Sequence, residues 1–219
     1  MCPEDPRLPD TGAFDRDCTR CARLAQFLRG VRDKHPEYYA HPVPALGPDN
    51  ARLLIVGLAP GMHGANRTGR PFTGDYAGVL LYATLHEFGF ANHAGSADPN
   101  DGLELRDCRI TNAVKCLPPE NKPLPAEVRL CNDYLRAEIV AVRPRAILAL
   151  GLVAHRAVLM ACGLSQGALT FGHGASHLLP QGQRLFDSYH CSRYNTQTRR
   201  LTPAMFQAVF QSIRAHLDA

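Results

Sequence analysis

The chain has 219 residues, nearly half of them apolar, and its 24 Lys and Arg against 20 Asp and Glu leave a formal net charge of +4. That length buries one substantial core and does not call for two, and so mild a positive charge suits a polyanionic partner without requiring one. No apolar run approaches the roughly 20 residues of a membrane helix, and the first residues are rich in Pro and Asp instead of signal-like. A single cytoplasmic domain, acting as a monomer and without a membrane partner, is expected. Eight cysteines in such a compartment read as metal ligands, buried small hydrophobes or nucleophiles, not as a disulfide framework.

Residues 1–17 read as a flexible N-terminal segment ahead of a domain over 18–219. From Cys18 to Lys34, Leu24, Phe27, Leu28 and Val31 recur at helical spacing until His35-Pro36 ends the pattern. Ala51 to Leu58 (ARLLIVGL) is a short apolar run with the profile of a buried parallel strand, and a loop follows it to Asp75. Tyr76 to Phe88 is predicted helical, Arg109 to Lys115 a strand, and Pro125 to Val142 a long helix with proline in its first turn. Arg145 to Gly151 is a third strand, Leu152 to Cys162 a helix and Arg184 to His190 a fourth strand. Thr202 to Leu217 closes the chain as an amphipathic helix with Met205, Phe206, Val209, Phe210, Ile213 and Leu217 on one side. This alternation predicts an α/β fold, a four-stranded parallel sheet flanked by helices, whose ligands bind beyond the carboxyl ends of the strands.

The loop after the first strand reads GLAPGMHGANRTGRPFTGDYAG over Gly57 to Gly78. Its glycines would let backbone amides of Gly57, Leu58, Ala59 and Gly61 approach a ligand ahead of a helix N-terminus. It has neither the Gly-Lys-Ser/Thr of a Walker loop nor the spacing of a dinucleotide fold. Cys18 and Cys21 form C-x-x-C, and Cys116 and Cys131 stand fourteen residues apart across a proline-rich turn. Four thiolates can close one site. Cys108 and Cys116, at opposite ends of one predicted strand, would be about 26 Å apart, so only one of them can join it. The ligand chemistry by itself suits either an iron-sulfur cluster or zinc, although a zinc ribbon normally brings two C-x-x-C pairs.

Three segments in order, GLAPGMHGANRTGRPFTGD, TNAVKCLPPENKP and SYHCSRYNTQT, resemble the motif regions of the bacterial and archaeal uracil-DNA glycosylases that carry an iron-sulfur cluster. The GLAPG form, in place of an acidic GEAPG, is most similar to the family 5 type, and the resemblance runs from about Cys18 to Leu217. It implies a [4Fe-4S] cluster on Cys18, Cys21, Cys116 and Cys131, with Cys116 chosen over Cys108 by the match. It implies DNA containing uracil or another deaminated base as partner, with the base flipped out and its N-glycosidic bond hydrolysed.

Such a reaction passes through a cationic sugar and an anionic base, which calls for a carboxylate or an oriented water on one side and hydrogen-bond donors on the other. Asp75 is the carboxylate the resemblance implies, with helix N-capping as the plainer role. His190 at the fourth strand's end would donate to the base carbonyl, and Phe72 would stack on the flipped base, though either could be ordinary structure. Asn112 resembles the asparagine that reads the uracil edge in other superfamily members. Many family 5 chains are expected to carry a small residue there and to accept purine lesions. Asn121 and Asn195 would position water or backbone phosphate, or simply form turns. Arg67, Arg193, Arg199 and Arg200 would touch phosphates or lie on a solvated face. No lysine stands where an imine-forming nucleophile would, so water is the expected nucleophile and an abasic site the product. Two rivals remain: a cysteine hydrolase on Cys191 and His190, which adjacent strand positions on opposite faces disfavour, and a non-catalytic iron-sulfur DNA-binding or redox-sensing module.

Overall fold

The computed structural model describes residues 14–219. Its elements are α1 (Ala22–Lys34), β1 (Leu53–Gly57), the short α2 (Ala65–Thr68), α3 (Tyr76–Glu87), β2 (Cys108–Asn112), a 3-10 turn (Pro119–Asn121), α4 (Pro125–Val142), β3 (Ala146–Leu150), α5 (Leu152–Ala161), β4 (Ser176–Leu178), β5 (Arg184–Ser188), α6 (Arg193–Gln197) and α7 (Pro203–Asp218).

Strand alternation sorts the apolar side chains onto two faces. Leu54 and Val56 of β1, Ile147 and Ala149 of β3 and Leu185 of β5 pack against α1, α4 and α5. Leu53, Ile55, Leu148 and Phe186 face the other way, onto Leu81 and Leu85 of α3 and Phe206, Phe210 and Ile213 of α7. Removing one such large side chain from water is worth about 1.5–3 kcal/mol, so the two layers hold the sheet between them. α7 starts where the Thr202 hydroxyl accepts from the Met205 amide at 3.2 Å, with Pro203 at its first turn.

The strand order is β2-β1-β3-β5-β4. β1 pairs in parallel with β2 (Gly57 opposite Asn112) and with β3 (Ile55 opposite Leu148), and β3 pairs in parallel with β5 (Leu150 opposite Ser188). The chain leaves β1 for β2 on one side and returns to β3 on the other, which places a topological switch point at the carboxyl ends of β1 and β3. The parallel four-stranded core expected from the sequence is present. The sheet also has a fifth strand, β4, antiparallel to β5 at the edge. Its three residues, Ser-His-Leu, have no apolar run to mark them.

Several boundaries are corrected. β1 stops at Gly57, leaving Leu58 in the loop, β2 stops at Asn112, and β5 stops at Ser188, two residues short of His190. Helix α1 begins at Ala22, so Cys18 and Cys21 precede it. Cys108 and Cys116 are therefore not the two ends of one strand. They part because the chain turns after Asn112 and leaves Cys108 in the α3/α7 layer and Cys116 in the α1/α4 layer. Most of the segment expected to be flexible, residues 1–13, lies outside the described residues. Phe14 packs on Tyr134 with ring centroids 6.0 Å apart, and Arg16 lies 5.0 Å over Tyr39. No helix among the described residues is long and apolar enough to cross a membrane.

Candidate functional site

At the end of β1, Gly57 is where two chemically useful groups meet. A β-carbon there would lie 2.7 Å from Phe72 Cζ and collide with Asn112 Oδ1, so only glycine lets the ring and the amide close on the backbone. Asn112 is the last residue of β2, 3% exposed, and its Oδ1 is buried with no hydrogen-bond partner in the protein. Phe72 is 6% exposed and holds a left-handed φ of 55°, a conformation that costs a non-glycine residue free energy and is maintained only by its surroundings. Those surroundings are specific. Tyr82 Oη donates to Pro71 O at 2.7 Å. The buried Arg70 donates to Thr73 Oγ1 at 2.7 Å, to Pro99 O at 3.0 Å, and to Ser96 Oγ, Asp98 O and Asp101 Oδ2. The same guanidinium holds the Asp101 carboxyl at about 2.

His190 lies 6.0 Å from Phe72 between ring centroids, the planes 28° apart. Its backbone carbonyl accepts from Asn195 Nδ2 at 2.8 Å, which makes Asn195 a brace beneath the histidine. Desolvation pushes the imidazole down to about 4, so near neutrality it is a neutral ring with one N–H to give. The neighbouring Cys191 thiol is pushed up to about 12, by burial first and by the Asp75 charge in addition. It is protonated at neutral pH, which argues against a thiolate nucleophile on firmer ground than strand alternation, since neither residue is within a strand.

Asp75 does not cap the helix it opens: no side-chain bond runs from it to α3. Its Oδ2 accepts instead from the Ala65 amide, at the first turn of α2, at 3.1 Å. A β-carbon on Gly64 would overlap this carboxylate, and one on Gly61 would reach within 2.8 Å of Oδ1. Burial raises the Asp75 pKa above the ordinary carboxylate value, opposed by the Ala65 amide and by the charges of Arg67 and His63. Next to Ala65, Asn66 is completely buried, with neither amide atom partnered.

The structure thus closes Phe72 and Asn112 on Gly57, sets His190 against the Phe72 ring, and sets Asp75 in the loop among Gly61, Gly64 and Arg67. Leu58 and Ala59 are half-buried, and the Leu58 carbonyl accepts from Val114 at 3.0 Å. Arg67 donates to His63 O at 2.7 Å. Arg193, 5.8 Å over the Tyr76 ring, Arg200, 4.6 Å over Tyr189, and Arg199 are all exposed. Asn121 stands in the exposed 3-10 turn with a left-handed φ of 57°, and its side chain makes no hydrogen bond among the described residues. Gly64, Asn66 and Arg70 were not singled out from the sequence. All three lie inside the glycine-loop motif, which was their only signal.

Cys18, Cys21, Cys116 and Cys131 line one small cavity with Leu24, Pro42, Val114 and Tyr134. The sequence elements that supply them are tied together by Arg23 of α1, which grips the Glu127 carboxylate of α4 through two bonds of 2.7 Å. Glu127 in turn accepts from the Leu124 amide at 2.7 Å. All four thiols are free of disulfides, and burial raises the pKa of Cys21, Cys116 and Cys131, the last to about 11. Four cysteine sulfurs lining one cavity are a donor set that fits an iron-sulfur cluster.

A family profile described as the uracil DNA glycosylase superfamily matches residues 44–214. The chain is 44% identical over 203 residues to the type-5 uracil-DNA glycosylase of Thermus thermophilus, spanning 90% of this chain and 92% of that one. It is 43% identical to the type-5 enzyme of Pyrobaculum aerophilum, over 93% and 89% of the two chains. With the type-4 enzyme of Archaeoglobus fulgidus, identity is 39% over 110 residues, about half of each chain. The chain belongs to the uracil-DNA glycosylase superfamily, in its type-5 branch.

Proposed function

We propose that this chain is a monofunctional uracil-DNA glycosylase of DNA repair, which takes a flipped-out uracil and hydrolyses its N-glycosidic bond to leave an abasic site. The observation that carries the reading is the closing of Phe72 and Asn112 on Gly57, at the carboxyl end of β1, with His190 stacked against the Phe72 ring. Phe72 offers an aromatic face for the base. Asn112 supplies a buried amide whose unsatisfied acceptor suits the uracil N3–H, with its amide hydrogens for O4. His190, neutral, donates to the carbonyl oxygen on which negative charge grows as the bond breaks, and so stabilises the transition state more than the bound substrate. Asp75 provides the opposing charge. Ionised, it favours the cationic sugar and takes a proton from the attacking water. Its raised pKa and the Ala65 amide fix a carboxylate that is both basic and oriented.

Cys18, Cys21, Cys116 and Cys131 would hold a [4Fe-4S] cluster, whose contribution is to cross-link the start of α1, the segment after β2 and helix α4 without taking part in electron transfer. Arg67, Arg193, Arg199 and Arg200 are placed in phosphate contact on this reading, with Asn121 serving water or phosphate. The enzyme acts as a monomer in the cytoplasm, on uracil first and on hypoxanthine or xanthine more slowly. A single-turnover gel assay for abasic sites in uracil-containing DNA tests the activity. Binding to DNA without abasic-site formation would instead support the non-catalytic module. Iron and sulfide analysis of anaerobically purified protein tests the cluster, and stoichiometric zinc without iron at the four cysteines would overturn it.

A further inference from the structure

Behind the candidate active site, β5 carries a second polar cluster that glycosidic hydrolysis does not use. Asp187, three residues before His190, and His155 of α5 are both completely buried. His155 Nδ1 lies 2.8 Å from Asp187 Oδ1, and its Nε2 lies 3.0 Å from the Leu169 carbonyl. From β4, His177 brings Nε2 to 3.5 Å from Asp187 Oδ2, and that nitrogen is buried without a hydrogen-bond partner. One ligand atom from each of the three residues lies within 4.8 Å of the other two.

Hydrogen-bond arithmetic limits what can occupy the centre. A backbone carbonyl only accepts, so His155 Nε2 must carry a proton. In the neutral ring Nδ1 is then a lone pair turned towards a carboxylate, and a positive centre has to stand between them. A second proton on His155 would suffice for that pair, but would leave His177 Nε2 3.5 Å from Asp187 Oδ2 without a hydrogen bond. A metal ion serves all three groups at once, and the bond from His155 Nε2 to a carbonyl is the outer contact that a metal-bound imidazole commonly makes.

We propose that His155 Nδ1, His177 Nε2 and a carboxylate oxygen of Asp187 form a structural site for one divalent ion of the zinc class. Two imidazoles and a carboxylate are ligands suited to zinc, and the site shares no residue with the cysteine centre. The ion joins α5, β4 and β5. Between the ligands, Phe171 and His173 pack on Tyr189, with centroids 6.2 Å and 5.1 Å away, so the clamp holds the strand end from which His190 emerges.

The test is titration of the purified full chain with cobalt(II) and zinc(II), each alone. One equivalent of cobalt should bind with visible ligand-field bands and no thiolate-to-metal charge transfer, and zinc should displace it and raise the unfolding temperature by several degrees. His177→Ala, at a partly exposed edge-strand position, should keep the metal content of the cysteine centre and lose both the cobalt bands and the zinc-dependent rise. Equal cobalt and zinc binding by the parent and His177→Ala overturns the site. So does a parent that binds neither ion, or binds cobalt only with thiolate bands, and these parent readings decide the question even if the variant does not fold.

Discussion

The Asp75 carboxylate reaches back ten residues to the Ala65 amide, 3.1 Å away, and caps α2 instead of the helix it begins. Charge and shape can therefore be separated. Asp75→Asn keeps an oxygen that accepts from Ala65 but can neither favour a cationic sugar nor take a proton. Single-turnover cleavage of uracil DNA should fall by roughly two to four orders of magnitude, with the unfolding temperature nearly unchanged. Loss of stability with the rate intact would make Asp75 a structural cap alone.

Gly64 adds a prediction that no reading of capping preferences would supply. A β-carbon on Gly64 would occupy the space of the Asp75 carboxylate. Gly64→Ala should displace that group and reduce the chemical step by at least the tenfold to hundredfold that misplacement of a reacting group commonly costs. Circular dichroism and DNA affinity should stay close to the parent. A Gly64→Ala enzyme of parental rate would mean that the carboxylate's position is immaterial.

The two titrating groups move in opposite directions, and both signs are measurable. Asp75 acts ionised with its pKa raised, chiefly by burial, so the rate should fall as pH drops through a value above the usual carboxylate range. Asp75→Asn should remove that limb. His190, pushed down to about 4 from 6.5, stays neutral across pH 5 to 8, so no second limb should appear near 6.5. Because its folded pKa is lowered, the stability it contributes is present above 6.5 and lost as pH falls towards 4. His190→Gln should lose less stability than the parent over that interval in denaturant titrations. A parent rate profile centred at 6.5 would contradict a neutral donor.

His190→Ala removes the donor to the departing base. Turnover should drop by roughly two orders of magnitude or more, and DNA binding should change far less, because the interaction strengthens only as charge develops. A single-turnover rate near that of the parent would take His190 out of this role.

The parallel core was legible because Leu53–Gly57 and Ala146–Leu150 are apolar without interruption, as strands buried on both faces must be. Strand β4 was not, since its hydrogen bonds with β5 are independent of any apolar pattern in Ser-His-Leu. Residue types in the motifs pointed to Phe72, Asp75, Asn112 and His190, but their geometry was hidden. The reach of Asp75 to Ala65 depends on the path of the loop, and the burial of Arg70 depends on a segment some thirty residues later that supplies Ser96, Asp98 and Asp101. In sequence, such an arginine looks the same as Arg193, which is exposed. His155 and Asp187, 32 positions apart, meet only when α5 folds onto β5.

The last prediction concerns Asn112, where stability and function should move in opposite directions. Its Oδ1 is buried with no hydrogen-bond partner in the protein, and an unsatisfied buried acceptor costs about 1–3 kcal/mol. Asn112→Ala removes that cost and leaves only a small void beside Gly57, so the unfolding temperature should hold or rise. In the base complex the same amide pairs with uracil N3–H and O4, and loss of such a polar match is expensive once the site is desolvated. The uracil rate should therefore fall, while hypoxanthine and xanthine, whose larger ring system sets the matching N1–H and C6=O edge farther from the sugar, should lose less, narrowing the gap between them and uracil. Cytosine, whose edge is arranged differently, should be rejected by the parent. Single-turnover rates on the panel of lesions, set beside melting temperatures for parent and variant, check both halves. Equal uracil rates for the two would show that Asn112 does not read the base.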